Sequence, residues 1–420
     1  MSAIADRSPE FVSRKECRIC GSRRLDPFLS LGPMPLANSF LRPTDLNYPE
    51  SCYPLDVAFC PTCGLVQLVE VVSPAVMFSN YIYESSTSDT IPSHFAQLAQ
   101  LVCSRLKLSK RDCVVEIGSN DGCLLKAFQE SGVQVLGVEA AENISKVAVE
   151  AGVPTVNAFF DRKLAEEIVN QRGKVRVIVA NNVVAHIDQL HDMVEGVHSL
   201  LTKKGLFIFE VPYLAKLITN LEYDTIYHEH MSYFSVRPLL RLFELHNLSV
   251  CDVQEVGVHG GSIRVFVGHA EDVVSRSRTV DRLLKRERRQ ALDDSETYVA
   301  FARRVWLHRL HLVKLVEDLM ESGEVLAGYG APAKGNTLLN FCRIGPDALR
   351  YIADKSKRKQ GLFTPGLRVP VVGPERILED PPQYLLLLAW NFAEEIFKQQ
   401  AHYRSLGGKF IVPIPQPRIQ

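Results

Sequence analysis

The chain lacks an excess of either charge: 48 lysines and arginines stand against 48 aspartates and glutamates in 420 residues. So balanced a chain builds no global field toward nucleic acid or an anionic membrane. Long apolar runs are missing too. The most apolar stretch, Tyr384–Trp390, is too short to cross a bilayer, and Met1–Arg7 carries charges where a signal peptide needs a hydrophobic stretch. The expectation is a soluble, cytoplasmic protein without membrane or nucleic-acid partners. Neither internal repeats nor low-complexity segments are present, and 46% hydrophobic content is ordinary for a globular protein. The length exceeds what one core usually serves, and three units are expected.

Six of the ten cysteines (52, 103, 113, 123, 251 and 342) show no pairing pattern, which fits a reducing compartment. The other four form two CxxC turns, Cys17-Arg-Ile-Cys20-Gly and Cys60-Pro-Thr-Cys63-Gly. Each turn sets two thiolates on one edge of a tetrahedron, and the following glycine lets the backbone fold under them. This reads as a structural zinc site with four sulfur ligands and no open position. The alternatives are a redox dithiol, which belongs singly in a thioredoxin-like βαβ pattern, or reduced bystanders.

Next comes a segment rich in aromatic and hydroxyl groups, Phe78-Ser-Asn-Tyr81-Ile-Tyr83-Glu-Ser85-Ser-Thr-Ser88-Asp, then a helix expected from about Ser93 to Leu106. It reads either as a connection lying over a site or as a plain polar turn. From Asp112 apolar strands alternate with amphipathic helices: Cys113–Ile117, Val133–Glu139, Val175–Ala180 and Leu206–Val211. That alternation specifies βαβ units around a parallel sheet, where ligands bind beyond the carboxyl ends of the strands. The groups standing there are Gly118–Gly122, Glu139, Asn181–His186 and Glu210–Tyr213. A more polar strand region spans Val253–Val267, and Val273–Glu321 has helical spacing. Its basic run at Lys285 is interleaved with acids and reads as a solvated helix face. The alternation restarts at Val325 as a second, smaller α/β unit with strands near Tyr351, Tyr384 and Phe410.

The turn Glu116-Ile-Gly118-Ser-Asn-Asp-Gly122 offers backbone amides and leaves room for a nucleoside's amino-acid tail. Its spacing departs from the G-x-G-x-x-G of a dinucleotide site. Glu139 closes the next strand, where a carboxylate can accept from both ribose hydroxyls. By itself the turn favours S-adenosylmethionine over a nicotinamide, and an unliganded turn stays open. Farther on, Tyr227-His-Glu229-His230 gathers a phenol, a carboxylate and imidazoles within four residues. Such groups suit proton removal from carbon and stabilisation of an enolate. A polar loop closing the sheet is the competing reading, above all for His228.

Taken in order, CRICG with CPTCG, NYIYESSTSD, EIGSNDG, ANNVVAH, YHEH, HGGSIR and GYGAPAKGNTLLNF resemble the zinc-containing sugar C-methyltransferases, which act on nucleotide-linked ketosugars. The resemblance covers essentially the whole chain. It implies an α/β protein with an N-terminal zinc-binding domain (1–75), a central Rossmann-like class I methyltransferase domain (76–250) and a smaller C-terminal Rossmann-like α/β domain (251–420). The methyl donor is then expected against Glu116, Gly118, Ser119, Asn120, Asp121, Gly122, Glu139 and Asn181. His230 takes the role of general base, with Tyr227, Glu229, Tyr81 and His186 around the reacting sugar. Lys334, Asn336, Arg264 and Ser262 become candidates for binding the sugar nucleotide. A thymidine diphosphate 4-keto-deoxysugar is the expected substrate and a monomer the expected state; methylation on oxygen or nitrogen, or a silent zinc and nucleoside binder, are the alternatives.

Overall fold

The computed structural model describes residues 11–420 except 78–80, 83, 88, 89, 259 and 274. Phe78, Tyr83, Ser88 and Asp89 of the connecting segment and His259 of the glycine motif therefore lie outside the described residues, as does Met1–Arg7. At the N-terminus, strands Asp26–Ser30, Asp56–Phe59 and Val66–Leu68 form an antiparallel sheet beside the two CxxC turns. Its fourth strand, Ser232–Tyr233, comes from the central domain and pairs with Val66 and Gln67. Arg14 and Arg18 tie the same two domains together by bonding Asp188 at 2.9 and 3.0 Å.

The central domain is one seven-stranded sheet: β1 Cys113–Ile117, β2 Gln134–Glu139, β3 Thr155–Asn157, β4 Val175–Asn181, β5 Leu201–Pro212, β6 Leu248–Val256 and β7 Ser262–His269. Its order is β6-β7-β5-β4-β1-β2-β3, with β7 antiparallel to both neighbours. Strands such as Val-Arg-Val-Ile-Val-Ala-Asn are buried on both faces because helices cover the sheet on each side. Phe207, Phe209 and Phe266 are fully buried in it, each side chain worth ~1.5–3 kcal/mol of burial. An expected boundary at 250 falls inside β6, and the sheet runs on to His269. The reason is that β5 would otherwise present a free edge, which β7 pairs from Phe207 to Pro212. The short β3 was not anticipated; Thr-Val-Asn is too brief to show a period.

Helix α1 (Thr90–Leu106) packs on α2 (Cys123–Glu130), the helix that follows the glycine turn. The expected single helical stretch is two helices, α3 Arg278–Arg289 and α4 Ser295–Glu321. They separate where Ala291 turns left-handed and Asp294 caps α4 by accepting from the Glu296 amide. The C-terminal domain is a six-stranded sheet of β8 Leu326–Tyr329, β9 Leu349–Ala353, β10 Val371–Val372, β11 Tyr384–Leu387, β12 Lys409–Val412 and β13 Arg418–Ile419. All its pairings are parallel except the last, and α5 (Ala333–Cys342) leaves the turn after β8. In both sheets the strand order reverses beside the first strand, so the carboxyl ends open a crevice there.

Candidate active site

Cys17, Cys20, Cys60 and Cys63 converge with their sulfurs within 4.8 Å of one another. Cys17 and Cys63 stand 3.4 Å apart and Cys20 and Cys60 3.6 Å, close to the ~3.8 Å edge of a zinc tetrahedron with 2.3 Å bonds. Gly21 and Gly64 have φ of 66° and 88°, which lets their amides return to the carbonyls of Cys17 and Cys60. As bare thiols the four compete. Hydrogen bonds from Cys17 and Cys63 pull Cys60 down, while its bond to Cys60 pushes Cys17 up to about 12. A dication resolves that competition by accepting four thiolates at once, so the donor set fits zinc.

One continuous cavity of about 690 Å³ lies over the carboxyl ends of the central sheet and reaches the C-terminal domain. At its cofactor end, the chain leaves β1 through Gly118 at φ 66°, where an added Cβ would sit 2.3 Å from a methyl of Val183. Gly122, at φ 77°, starts α2 under the same constraint from Val153 at 2.8 Å. Gly118, Asn120, Glu139 and Asn181 line the cavity. Glu139 receives the amides of Ala141 at 2.8 Å and Asn120 at 2.9 Å, which opposes the upward push of burial on its carboxyl. Behind that lining stand Glu116, Ser119, Asp121 and Gly122. Burial, with Asp121 and Glu139 nearby, holds the Glu116 carboxyl well above its ordinary value. Asp121 faces the connecting segment instead, accepting the Ser86 amide at 2.9 Å, and Asn120 accepts that of Ser85 at 2.9 Å.

Both polar atoms of the Asn181 amide are buried without a partner among the described residues, as is His186 Nε2. Orphaned polar atoms along a cavity are costly unless a ligand meets them. With the glycine cradle and Glu139, they fit a nucleoside carrying an amino-acid tail.

Tyr81, Tyr227, His186 and His230 all face the cavity. Their loop is stitched on both sides: the Met231 amide bonds the Ala185 carbonyl at 2.8 Å, and the Met231 carbonyl accepts from Leu68 at 3.0 Å. His230 Nδ1 lies 2.7 Å from the Thr225 carbonyl, which can only accept, so Nδ1 carries the proton. The bare Nε2 then accepts from the Tyr227 hydroxyl at 2.8 Å. The His186 ring is 5.0 Å from that of His230, and burial, assisted by His230, holds His186 well below its ordinary value. Glu229 sits just behind the lining. Burial pushes its carboxyl up to about 7, against bonds from Asn38 at 2.6 Å and Tyr81 at 3.2 Å. His228 turns away, with Nε2 3.2 Å from the carbonyls of Tyr53 and Pro54.

Lys334, on the first turn of α5, lines the far end of the cavity beside Asn391, its Nζ 4.0 Å from the Trp390 ring centre. Burial pulls its ammonium down to about 8, against the attraction of Asp224 and Glu222. Three expected substrate contacts are not brought there. Asn336 is fully buried and donates to the Ala37 carbonyl at 2.7 Å. Arg264 stands directly opposite Glu210 in the sheet and pairs with it at 2.7 Å, while His94 holds the other carboxylate oxygen at 2.8 Å. Ser262 bonds the Val258 carbonyl at 3.2 Å. Sequence reasoning in turn missed Asn38, Lys359 and Ala158–Asp161, all of which line the cavity. The last of these follows β3, so recognising that short strand would have exposed it.

The sheet order, the glycine turn and the carboxylate closing β2 define an S-adenosylmethionine-dependent methyltransferase with a zinc-binding domain at its head. Three family models match in succession: a zinc binding domain over residues 17–78, a methyltransferase domain over 93–253 and a C-methyltransferase C-terminal domain over 257–415. The chain is 41% identical over 404 residues to C-methyltransferase NovU of Streptomyces niveus, covering 96% of each. It belongs to the family of S-adenosylmethionine-dependent C-methyltransferases. Solved structures with some likeness include the PH0226 protein of Pyrococcus horikoshii OT3 (15% identity, 44% of this chain and 94% of that one, TM-score 0.35). Another is magnesium protoporphyrin IX methyltransferase of Synechocystis PCC 6803 with bound SAM (11%, 42% and 78%, TM-score 0.33). The assignment rests on the whole-chain relative and not on these. S-adenosylmethionine is the methyl donor and zinc the structural metal. Among the described residues no helix is long and apolar enough to cross a membrane.

Proposed function

We propose that this enzyme methylates the carbon beside the ketone of a nucleotide-linked 4-keto-deoxysugar, with thymidine diphosphate as the nucleotide, in deoxysugar or antibiotic-sugar biosynthesis. One observation carries the reading: a single cavity joins the cofactor turn, the His230–Tyr227 pair and Lys334. Its lining offers the glycine turn and Glu139 to a methyl donor, the His230–Tyr227 pair to a sugar and Lys334 to a diphosphate.

S-adenosylmethionine supplies an electrophilic methyl group. The residues of this chain must make the sugar carbon a nucleophile. His230 Nε2 is the base, and its Nδ1–H bond to Thr225 both aims the ring and steadies the imidazolium that forms. On substrate entry the Tyr227 hydroxyl leaves Nε2 and donates to the ketone oxygen, where the bond strengthens as negative charge develops. His186, half-buried and neutral, offers its buried Nε2 to a sugar oxygen. Glu229 acts on the sugar through Tyr81. Lys334 and the start of α5 receive the diphosphate.

The test is mass spectrometry and proton NMR of the enzyme with S-adenosylmethionine and a panel of thymidine diphosphate 4-keto-6-deoxysugars in deuterated buffer. The expected result is S-adenosylhomocysteine, a product gaining one methyl group on carbon, and exchange of the proton next to the ketone. Methylation on oxygen or nitrogen without that exchange refutes the carbon chemistry.

A further inference from the structure

The zinc-binding domain reaches the reaction centre through one side chain. Asn38 lies in a turn of the long loop that follows strand Asp26–Ser30 of the zinc sheet; it lines the cavity, and its Nδ2–H donates to Glu229 Oε1 at 2.6 Å. The second oxygen of the same carboxylate accepts from the Tyr81 hydroxyl at 3.2 Å. Glu229 itself is only 4% exposed, so it works through these neighbours. The loop is anchored from the opposite side as well: Asn336, in α5, the helix that carries Lys334, donates to the carbonyl of Ala37, next to Asn38, at 2.7 Å. A carboxylate of the central domain is thus gripped by the N-terminal domain, whose own loop is held by the C-terminal domain.

We propose that Asn38 is a positioning residue of the active site: its amide fixes the Glu229 carboxylate, and that carboxylate aims the Tyr81 hydroxyl at the sugar end of the cavity. A buried carboxylate needs donors for its lone pairs. A neutral amide supplies one such donor without a counter-charge and leaves the second carboxylate oxygen to Tyr81. The groups facing Glu229 bear this out. His228, before it, is turned to the carbonyls of Tyr53 and Pro54, and His230, after it, is engaged by Thr225 and Tyr227. Burial against the bonds from Asn38 and Tyr81 then governs its titration, which falls near neutrality.

The inference rests on the proposed carbon methylation only for its kinetic readout, so the test has two arms. In the zinc-loaded full chain without substrate, the Glu229 carboxyl is followed by infrared or carbon-13 titration and identified by its loss in Glu229→Gln. Asn38→Ala is expected to raise that midpoint by about one pH unit, the equivalent of one hydrogen bond to a charged acceptor. A midpoint unmoved in a folded, zinc-containing Asn38→Ala protein overturns the proposal. Should that variant not fold, Asn38→Asp keeps the shape and sets two carboxylates together; it must raise the midpoint, and an unchanged value again refutes. In the kinetic arm, turnover of a thymidine diphosphate 4-keto-6-deoxysugar by Asn38→Ala should lose about tenfold in kcat, with the acid limb shifted to higher pH and KM for S-adenosylmethionine unchanged. A uniform loss at every pH would mark a merely structural role and overturn the proposal. Failure of the wild type to act on any ketosugar would instead sink the proposed reaction and leave Asn38 to the titration.

Discussion

Replacing His230 by asparagine separates the chemistry of the ring from its architecture. An asparagine amide can place an N–H near the position of Nδ1, within reach of the Thr225 carbonyl that His230 meets at 2.7 Å. It has nothing at the position of Nε2, the atom that accepts from Tyr227 at 2.8 Å and that the proposed reaction uses as base. The loop itself is held by Met231 and the strand Ser232–Tyr233, which the change does not touch. A positioned general base contributes roughly 10²- to 10⁴-fold, so kcat should fall by that factor, equivalent to ~3–5 kcal/mol of barrier. Loss of the ring contact with Tyr227, now at 4.1 Å between centres, should cost no more than about 1–2 kcal/mol of stability. The assay is S-adenosylhomocysteine formation by chromatography, with exchange of the sugar proton followed by NMR and donor affinity by calorimetry. Donor affinity should stay within about twofold, because the base acts on the sugar. Wild-type turnover, or proton exchange persisting at the wild-type rate, refutes the assignment of His230.

Four further expectations follow from separate parts of the structure. Gly118→Ala forces a left-handed backbone, worth roughly 1–2 kcal/mol, onto a side chain whose Cβ meets Val183 at 2.3 Å; a melting temperature and a donor affinity both unchanged would contradict the cradle. Arg264→Met strands the buried Glu210 carboxylate, so stability should drop by about 3–5 kcal/mol in urea titration while KM for the sugar nucleotide holds, and a selective rise in KM would return Arg264 to the substrate site. Lys334 carries its charge only below its lowered pKa of about 8, so kcat/KM for the sugar nucleotide should fall roughly tenfold per pH unit above that point. That limb should be absent in Lys334→Met. Chelation should remove one zinc per chain and loosen the N-terminal domain, detected by elemental analysis and limited proteolysis; a fully active, zinc-free wild-type protein would refute the structural role.

Much of the architecture was legible because its signals are local. Apolar runs of strand length alternating with helical spacing mark both α/β units, and each CxxC-Gly turn declares its geometry within five residues. The cofactor turn is equally local, since Gly118 and Gly122 occupy positions where a side chain has no room. What stayed hidden was of two kinds. Short elements such as β3 carry too few residues to show a period, so the cavity wall at Ala158–Asp161 went unseen. Chemically suggestive residues such as Arg264 and Asn336 pointed to ligand binding, yet their partners are other parts of the chain.

By itself, the sequence determined the units, their order, the four sulfur ligands and the pair of groups proposed to carry out proton transfer, because spacing along the chain sets all of these. Tertiary structure alone decided which of those groups meet. Asn38 and Glu229 are 191 residues apart and share a hydrogen bond where Ser232–Tyr233 joins the zinc sheet and Arg14 and Arg18 meet Asp188, contacts that hold the two domains together. Arg264 was withdrawn from the cavity in the same way, by a register that sets it opposite Glu210. Pairing and burial are properties of surfaces brought into contact, and no local pattern encodes which surface a side chain will meet.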